Sequence, residues 1–372
     1  MKRTEQKRIR LSFARTAAVL FSLALAAGPA LGAQPKPSAA AIKPPAAPKV
    51  PIAPLKAPIT AFVPFDYAPF PFRGLIPDSG KKFIDKVDGN RKGHVSSRDN
   101  SVHWEDETFN DNRVLLYLPQ GFDIRKPALI VVFFHGNGAT LSRDVLDRQQ
   151  IAAQLAASNL NAVLVAPQFA VDAADSSAGR FWQRGVFKKF VDEATRKLAL
   201  QYHDRRVEGA FKPSKVVLVA YSGGYLPASW SLAVGQIGSR LHGVILLDAL
   251  YGQIDKFASW IESARGAAFF FSTFTESTRE QNEALQSELA DANMRYATTP
   301  PKLLRPGTVA FVDSGLDWTH HNDFVTAAWT QNPLTWLFSR IPGYPNGKPA
   351  VAKNAKSRPL RAEIRADKAI RQ

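Results

Sequence analysis

The sequence has no cysteine, and most of it has almost no net charge. The first absence excludes disulfide bonds, thiolate metal ligands and a cysteine nucleophile. The second concerns residues 61–341, which contain 30 basic and 29 acidic side chains, so the formal net charge of +16 comes mainly from the two ends of the chain. A dedicated nucleic-acid-binding surface would concentrate basic residues on the folded part. We therefore expect no nucleic-acid partner.

The sequence also lacks an apolar run long enough to cross a bilayer comfortably. Residues 1–33 come nearest, with a basic start, an apolar stretch at 16–27 and small residues around Gly32 and Ala33. A spanning helix needs about 20 apolar residues, whereas this three-part pattern is typical of a secretory signal peptide. We expect cleavage after Gly32 or Ala33, and a periplasmic or secreted mature protein without a transmembrane span. A retained membrane anchor is the alternative.

Two further segments contain little to bury. Residues 34–60 are rich in Pro, Ala and Lys, which is typical of an extended tether. Residues 342–372 form a C-terminal tail with eight basic and two acidic side chains. Either these charges are only solvated, or they attach the protein electrostatically to an anionic cell envelope. The folded domain is predicted at 61–341.

From Arg113 onward, strand-like and helix-like segments alternate, which predicts an α/β fold with a mostly parallel sheet covered by helices on both faces. Strands are predicted at 114–118, 128–134, 162–166, 215–220, 244–247, 267–271 and 309–312. Helices are predicted at 141–158, 181–202, 254–261, 279–293 and 324–338. The aromatic and proline-rich segment 61–112 predicts irregular packing followed by one or two antiparallel edge strands.

The predicted strand at 215–220 stops at a serine with small residues on both sides. A sharp strand-to-helix turn there forces Ser222 into strained backbone geometry, exposes its hydroxyl and requires small neighbours, which Ala220 and Gly224 provide. A plain Ser-Gly-Gly turn is the alternative. The segment Ala220-Tyr221-Ser222-Gly223-Gly224 resembles the nucleophile elbow of the α/β-hydrolase family, with Ala at the first position of the usual motif.

The order of elements over residues 80–341 resembles the same family. This resemblance implies an α/β-hydrolase fold without a large cap domain, a serine nucleophile at Ser222, and a reaction that needs neither a metal nor another cofactor. A serine hydroxyl is a poor nucleophile at neutral pH, so Ser222 would need a neutral histidine as base and a carboxylate that fixes the histidine tautomer.

The sequence contains seven histidines. Four of them lie before strands or at a helix end and are expected at the surface: His94, His103, His203 and His242. His135 follows the strand at 128–134 and is expected to support its turn. The adjacent His320 and His321 remain, in the loop between the last strand and the closing helix, where the family has its base. We favour His321 because Asn322-Asp323-Phe324 suggests a helix start, with His320 as the alternative. The alternative that His320 and His321 bind a metal has less support, because adjacent side chains diverge and no third ligand is evident.

The acid has two candidates, because the family places it after either of two strands. Asp248 directly follows the apolar strand at 244–247, where a carboxylate would be costly to bury without a partner. Glu276 follows the next strand. We favour Asp248 and keep Glu276 as the alternative.

The developing oxyanion requires main-chain N–H donors. The segment His135-Gly136-Asn137-Gly138 could supply one donor and the residue after Ser222 the other, and the resemblance assigns Asn137 and Gly223. The spacing of these glycines does not fit a nucleotide-binding loop.

The favoured function is therefore an exported serine hydrolase, an esterase acting on small-molecule or polymeric esters. An acyltransferase or peptidase on the same three residues is one alternative, and a non-catalytic envelope-binding protein is another. Few residues separate Asp248 from the next strand, which predicts an open site. The loop at 170–177, with Phe181 and Trp182, is expected to form one wall.

Overall fold

The computed structural model describes residues 52–202 and 205–346 of the chain. The strands of this part are β1 (Ile59–Pro64), β2 (Lys86–Asp88), β3 (Arg91–Val95), β4 (Val102–Trp104), β5 (Arg113–Leu118), β6 (Leu129–Phe134), β7 (Ala162–Pro167), β8 (Lys215–Tyr221), β9 (Leu241–Leu247), β10 (Phe269–Phe274) and β11 (Val309–Asp313). Its α-helices are α1 (Glu105–Thr108), α2 (Ile151–Ala157), α3 (Val186–Gln201), α4 (Glu208–Phe211), α5 (Tyr225–Val234), α6 (Ile254–Ser263), α7 (Arg279–Asp291) and α8 (Pro333–Phe338).

Eight of these strands form the central sheet, in the order β1-β5-β7-β6-β8-β9-β10-β11. Strand β5 runs antiparallel to both of its neighbours, β1 and β7. The other six strands, β7, β6, β8, β9, β10 and β11, run parallel to one another. In the register of β6 and β8, Phe134 lies opposite Ala220. The two strands therefore end side by side, and the loop after β6 lies next to the turn after β8.

Helices cover both faces of this sheet because the strand side chains alternate between two apolar cores. In β8, Val216 and Leu218 belong to the core that packs under α3, α5 and α6. Val217 and Val219 belong to the opposite core, with α2 and α8. The predicted α/β-hydrolase fold, with a mostly parallel sheet covered on both faces, is confirmed. Between β9 and β10 the chain adds only a loop and α6, so there is no large cap at that point.

The predicted helix at 141–158 is wrong as a single element. Residues Leu141–Arg148 form a π-helical segment, and Gln150 then adopts a left-handed conformation (φ +53°) before α2 begins. The predicted helix at 181–202 begins five residues later, at Val186, because Gly185 has φ +75°. Hydrophobic periodicity alone did not reveal these interruptions.

Two boundaries near the carboxyl edge of the sheet also differ from the prediction. Strand β10 starts at Phe269 and continues to Phe274, past the predicted end at Phe271. The closing helix α8 begins only at Pro333, after Asn332 in the left-handed region, and not at Phe324. Proline disfavours helical geometry in the residue before it and suits the first helical position, so the helix starts at the proline.

The segment before β5 contains a second, three-stranded antiparallel sheet in the order β2-β3-β4. The sequence predicted only one or two edge strands there. Phe83 anchors this small sheet, with ring contacts to Phe70, Phe109 and His94. The hairpin between β3 and β4 thereby acquires a fixed position beside the carboxyl ends of the central strands.

Some residues near both ends of the described part contact the fold. The N–H of Leu55 donates to the carbonyl of Phe122, and the N–H of Asn161 donates to the carbonyl of Tyr344. The signal peptide predicted at 1–33 lies outside the described residues, as do most of the tether and most of the basic tail. Within the described ranges, no helix is long and apolar enough to cross a membrane.

Candidate active site

Ser222 lies at the tip of the turn between β8 and α5, with φ +52°. A non-glycine residue in this region of conformational space is strained, and close contacts around it leave no room for larger neighbours. A Cβ atom on Gly224 would lie 2.5 Å from the carbonyl oxygen of Phe134, and one on Gly136 would lie 2.7 Å from the Cβ of Ser222. Glycine is therefore required at position 224 of the turn and at position 136 of the neighbouring loop after β6.

His321 is the histidine that the fold brings to this serine. Its Nε2 lies 2.8 Å from Ser222 Oγ. The hydroxyl of Tyr221 donates to the main-chain oxygen of His321 at 2.7 Å, and the two rings stack at 5.2 Å. His320 is turned away, with its Nδ1 3.0 Å from Asp317 Oδ1. The sequence favours His321 because of a helix start at 322–324, but no helix begins there. The contacts with Tyr221 orient the ring of His321.

Asp248 completes the arrangement, with Oδ2 2.6 Å from His321 Nδ1. Its side chain is fully buried and also accepts hydrogen bonds from the N–H of Thr275 (3.0 Å) and from the hydroxyls of Thr275 (2.8 Å) and Thr278 (2.7 Å). Burial raises the pKa of Asp248, but the hydrogen bonds from His321 and the two threonines outweigh it, so the pKa lies below its ordinary value. Glu276 is exposed. The two threonines lie beyond the predicted end of β10, so the sequence did not identify them.

His135 is buried in the loop after β6, where the sequence placed it as a support. Its Nδ1 donates to the carbonyl of Gly136 (2.8 Å), and its Nε2 accepts the N–H of Phe169 (2.9 Å). Burial lowers the pKa of His135 to about 4, which suits an imidazole that must stay neutral in order to accept a hydrogen bond.

The two predicted oxyanion residues lie side by side. A Cβ atom on Gly223 would collide with the side-chain oxygen of Asn137, and the same oxygen accepts a hydrogen bond from the hydroxyl of Ser176 at 2.9 Å. Among the described residues, the main-chain N–H of Asn137 has no hydrogen-bond acceptor. It is thus available to an oxygen placed near Ser222.

A cavity of about 680 Å³ opens over Ser222 and His321. The predicted wall is present in part, because residues 174–177 and Trp182 line the cavity, whereas Phe181 is buried in the core. Tyr225 and Tyr251 line it on the side of α5. The site is thus a sizeable cavity with polar and aromatic walls.

The tip of the β3–β4 hairpin supplies another wall that the sequence did not reveal. Ser96, Ser97 and Arg98 line the cavity, and so does His94. The prediction that His94 lies at the surface is wrong, since it is 8% exposed, its ring stacks on Phe83 at 4.4 Å, and its Nδ1 donates to the carbonyl of Phe83. No local pattern in the sequence connects this hairpin with a serine more than 100 residues downstream.

Within the described part of the chain, no group of three or more His, Asp or Glu side chains is arranged to hold a metal ion. The charged and polar side chains at the site instead form the chain from Ser222 through His321 to Asp248. This arrangement can transfer a proton from the serine hydroxyl to an imidazole whose other nitrogen donates to a buried carboxylate.

No protein-family model matches the chain, and no curated protein matches it significantly. Among solved structures, the chain is similar to a feruloyl esterase module from Clostridium thermocellum (13% identity, 73% of this chain and 97% of that chain, TM-score 0.36). It is also similar to an S-formylglutathione hydrolase from Agrobacterium tumefaciens (11%, 68% and 97%, TM-score 0.37) and to a dienelactone hydrolase-like promiscuous phosphotriesterase from metagenomic libraries (14%, 84% and 96%, TM-score 0.36). The fold assignment rests on the sheet topology rather than on these distant similarities.

Proposed function

We propose that this chain, which has the α/β-hydrolase fold, is a serine hydrolase that cleaves carboxylic esters through an acyl-enzyme on Ser222. The observation that supports the proposal most is the continuous hydrogen-bonded series from Ser222 Oγ to His321 Nε2 (2.8 Å) and from His321 Nδ1 to Asp248 Oδ2 (2.6 Å). Both distances lie within the range that general-base catalysis requires.

In the first half of the reaction, Ser222 Oγ attacks the ester carbonyl carbon while His321 Nε2 takes the hydroxyl proton. The imidazolium is stabilised by the carboxylate of Asp248, which remains ionised because three donors besides His321 hold it. The carbonyl oxygen becomes an oxyanion and accepts hydrogen bonds from the main-chain N–H groups of Gly223 and Asn137. The C–O bond to the alcohol then breaks, and His321 returns the proton to the leaving oxygen.

In the second half, water replaces the alcohol. His321 removes a proton from the water, whose oxygen attacks the acyl carbon, and the bond to Ser222 Oγ breaks as the serine recovers its proton. The strained turn at Ser222 and the buried hydrogen bonds of Asp248 exist before the substrate arrives. Little reorganisation is therefore needed during the reaction.

The test is labelling of the full chain by a fluorophosphonate probe, together with hydrolysis of 4-nitrophenyl butyrate. We expect one covalent adduct, located on Ser222, and the loss of both labelling and hydrolysis in Ser222→Ala. Circular dichroism of the variant should match the wild type, because the hydroxyl has no part in the apolar cores. A wild-type protein that is neither labelled nor active would contradict the proposal.

We also propose that the chain is exported, with residues 1–33 as the signal peptide, and that its basic ends approach anionic envelope polymers or lipids. The support is the charge distribution of the sequence, in which residues 347–372 contain eight basic and two acidic side chains. Processing is tested by N-terminal sequencing of the mature protein from its expressing cells. A start at Gln34 or Ala33 is expected, and an uncleaved chain would contradict export through a signal peptide.

A further inference from the structure

Apart from histidines, three charged side chains line the cavity: Arg98, Arg148 and Asp175. Two of them already have partners. Arg148 donates to a carboxylate oxygen of Asp144 at 2.9 Å and to the carbonyl of Asn322 at 3.0 Å. Asp175 accepts a main-chain N–H within its own loop at 2.7 Å. Each of these two is therefore engaged in shaping a wall.

Arg98 differs, because its guanidinium has no carboxylate within ion-pair distance in the described part of the chain. The adjacent Asp99 would be the simplest counter-ion, but it accepts the N–H (3.1 Å) and the hydroxyl (2.7 Å) of Ser101. The hydrogen bonds from Ser101 lower the pKa of Asp99 to about 2, so this carboxylate is satisfied by its own turn. The guanidinium of Arg98 is therefore available to a ligand in the cavity.

The turn that holds Arg98 is well ordered by its own hydrogen bonds. The N–H of Ser96 donates to the carbonyl of Ser101 (2.8 Å), the N–H of Asn100 donates to the carbonyl of Ser96 (3.0 Å), and Asn100 has φ +60°. The hydroxyl of Ser96 also accepts the main-chain N–H of Arg98 at 3.2 Å. The backbone of Arg98 is thus fixed, while its long side chain stays free to reach a ligand.

Arg98, Tyr251 and His321 line the same cavity. Burial raises the pKa of Tyr251 to about 12, and Arg98 is among the groups that act against this rise. The ring of Tyr251 meets the ring of His321 edge-on, with centroids 6.0 Å apart. A substrate that lies between Ser222 and the hairpin is therefore within the field of the guanidinium.

We propose that Arg98 is a specificity residue that binds an anionic group of the substrate, so that the site prefers esters bearing a carboxylate. This inference rests on the proposed ester hydrolysis. A guanidinium presents paired N–H donors that match a carboxylate. Arg98 is exposed, so this attraction is screened by dissolved ions. An arginine without a counter-ion keeps its full charge for the ligand.

Two pairs of esters test the inference, since the anion could lie on either side of the scissile bond. The first pair is the mono-4-nitrophenyl ester of adipic acid and the corresponding ester of adipamic acid, in which an amide replaces the carboxylate. The second pair is 4-acetoxybenzoate and 4-acetoxybenzamide, with the charge on the leaving group. The measured quantity is the ratio of kcat/KM for the anionic ester to that for the neutral one, which cancels general effects on the site.

Four variants of the full chain isolate the charge of Arg98: Arg98→Gln, Arg98→Lys, Lys92→Gln and Asp175→Asn. We expect the wild type to favour the anion in at least one pair, and Arg98→Gln to lower that ratio about tenfold. Arg98→Lys should retain part of the preference. Lys92→Gln removes the same charge from an exposed position of β3 outside the cavity, and it should leave the ratio within about twofold. Asp175→Asn should leave the ratio equal or raise it.

Hydrolysis without discrimination in both pairs would overturn the inference while leaving the proposed function intact. So would a preference that survives Arg98→Gln, or one that Lys92→Gln lowers equally. A wild-type chain that hydrolyses none of the four esters and is not labelled by a fluorophosphonate would overturn both proposals. Rising salt should lower the ratio for the wild type and not for Arg98→Gln, because ions screen only a charge-dependent preference.

Discussion

Asp248 Oδ2 and His321 Nδ1 lie 2.6 Å apart, although 73 residues separate them in the chain. The contact forms because β9 and β11 end at the same edge of the sheet, with β10 between them. Thr275 and Thr278, just after β10, donate to the same carboxylate. The ends of β9 and β10 thus hold the carboxylate, and His321 reaches it from the loop after β11.

This contact makes Asp248 the acid in our proposal, and we expect Asp248→Asn to lower kcat for 4-nitrophenyl butyrate about 10³- to 10⁴-fold. An amide in its place favours the wrong histidine tautomer and no longer stabilises the imidazolium. Glu276→Gln is the matched control, because Glu276 is exposed. Its kcat should stay within about twofold of the wild type, and the reverse ranking of the two variants would assign the acid to Glu276.

Substitution of the two adjacent histidines should also have clearly different effects on activity. His321→Ala removes the proposed base and should lower kcat about 10⁴-fold or more. His320→Ala removes a side chain whose Nδ1 lies near Asp317, and it should reduce activity only slightly. Steady-state kinetics of both variants, with fluorophosphonate labelling rates, decides between them. Equal losses would show that the loop conformation matters more than the base itself.

Gly136 lies so close to Ser222 that Gly136→Ala should lower kcat about 100-fold. The added Cβ would sit 2.7 Å from Ser222 Cβ and 3.1 Å from Ser222 Oγ, so the hydroxyl must shift, and shifts of about 1 Å are this costly. Gly209→Ala in α4 is the control, because nothing lies within 4 Å of that new methyl group. It should keep full activity and gain about 0.5 kcal/mol in unfolding free energy. Full activity of Gly136→Ala would contradict the close packing.

His135 should make the fold sensitive to acid. Its folded-state pKa of about 4 lies below the ordinary value of 6.5, so well above pH 6.5 the imidazole is neutral in both states and its contribution is complete. As the pH falls from 6.5 towards 4, the unfolded chain binds a proton that the folded chain does not, and the free energy of unfolding decreases by about 3 kcal/mol at most. Urea unfolding of wild type and His135→Gln at pH 7 and pH 4.5 measures this. The difference between the two proteins should shrink at pH 4.5, and a constant difference would contradict a neutral buried imidazole.

The basic tail offers a prediction that is independent of the active site. Removal of residues 347–372 deletes eight basic and two acidic side chains. We expect weaker binding to anionic lipid vesicles at low salt and unchanged hydrolysis of 4-nitrophenyl butyrate, because the attraction is electrostatic and screened by ions. Vesicle co-sedimentation at two salt concentrations measures it. If neither salt nor the truncation changes vesicle binding, the basic side chains of the tail are only solvated and do not attach the protein to a surface. The cut follows Asn346, since its N–H donates to the carbonyl of Asn159.

Much of this architecture could be predicted from the sequence because it depends on local patterns. Short apolar runs rich in β-branched and aromatic residues, such as 128–134, are typical of buried strands, and Ser222 between small residues signals a strained turn. The proximity of Ser222, His321 and Asp248 also follows, since parallel strands end at one edge. The preference for His321 over His320 depends on a predicted helix start at 322–324, which the structure lacks. The contact with Tyr221 that orients this histidine spans 100 residues and leaves no local signal.

The β3–β4 hairpin was unpredictable for a different physical reason. Its strands are short, and the turn residues Ser96–Ser101 look like any polar surface loop. Its position depends on the packing of Phe83 against His94 and Phe109, which is set by shape and not by periodicity. Buried aromatic clusters of this kind, assembled from irregular segments, give no repeating pattern along the chain.

The hairpin also has a consequence for how this protein could diversify. It lies in the chain before β5, whereas Ser222, Asp248 and His321 all follow β8. The hairpin wall of the cavity and the Ser222–His321–Asp248 series thus lie in separate stretches of the polypeptide. Substitutions in residues 96–101 could therefore alter which ligands the cavity accepts without disturbing the hydrogen bonds of Ser222. The two functions could therefore evolve, or be engineered, one at a time.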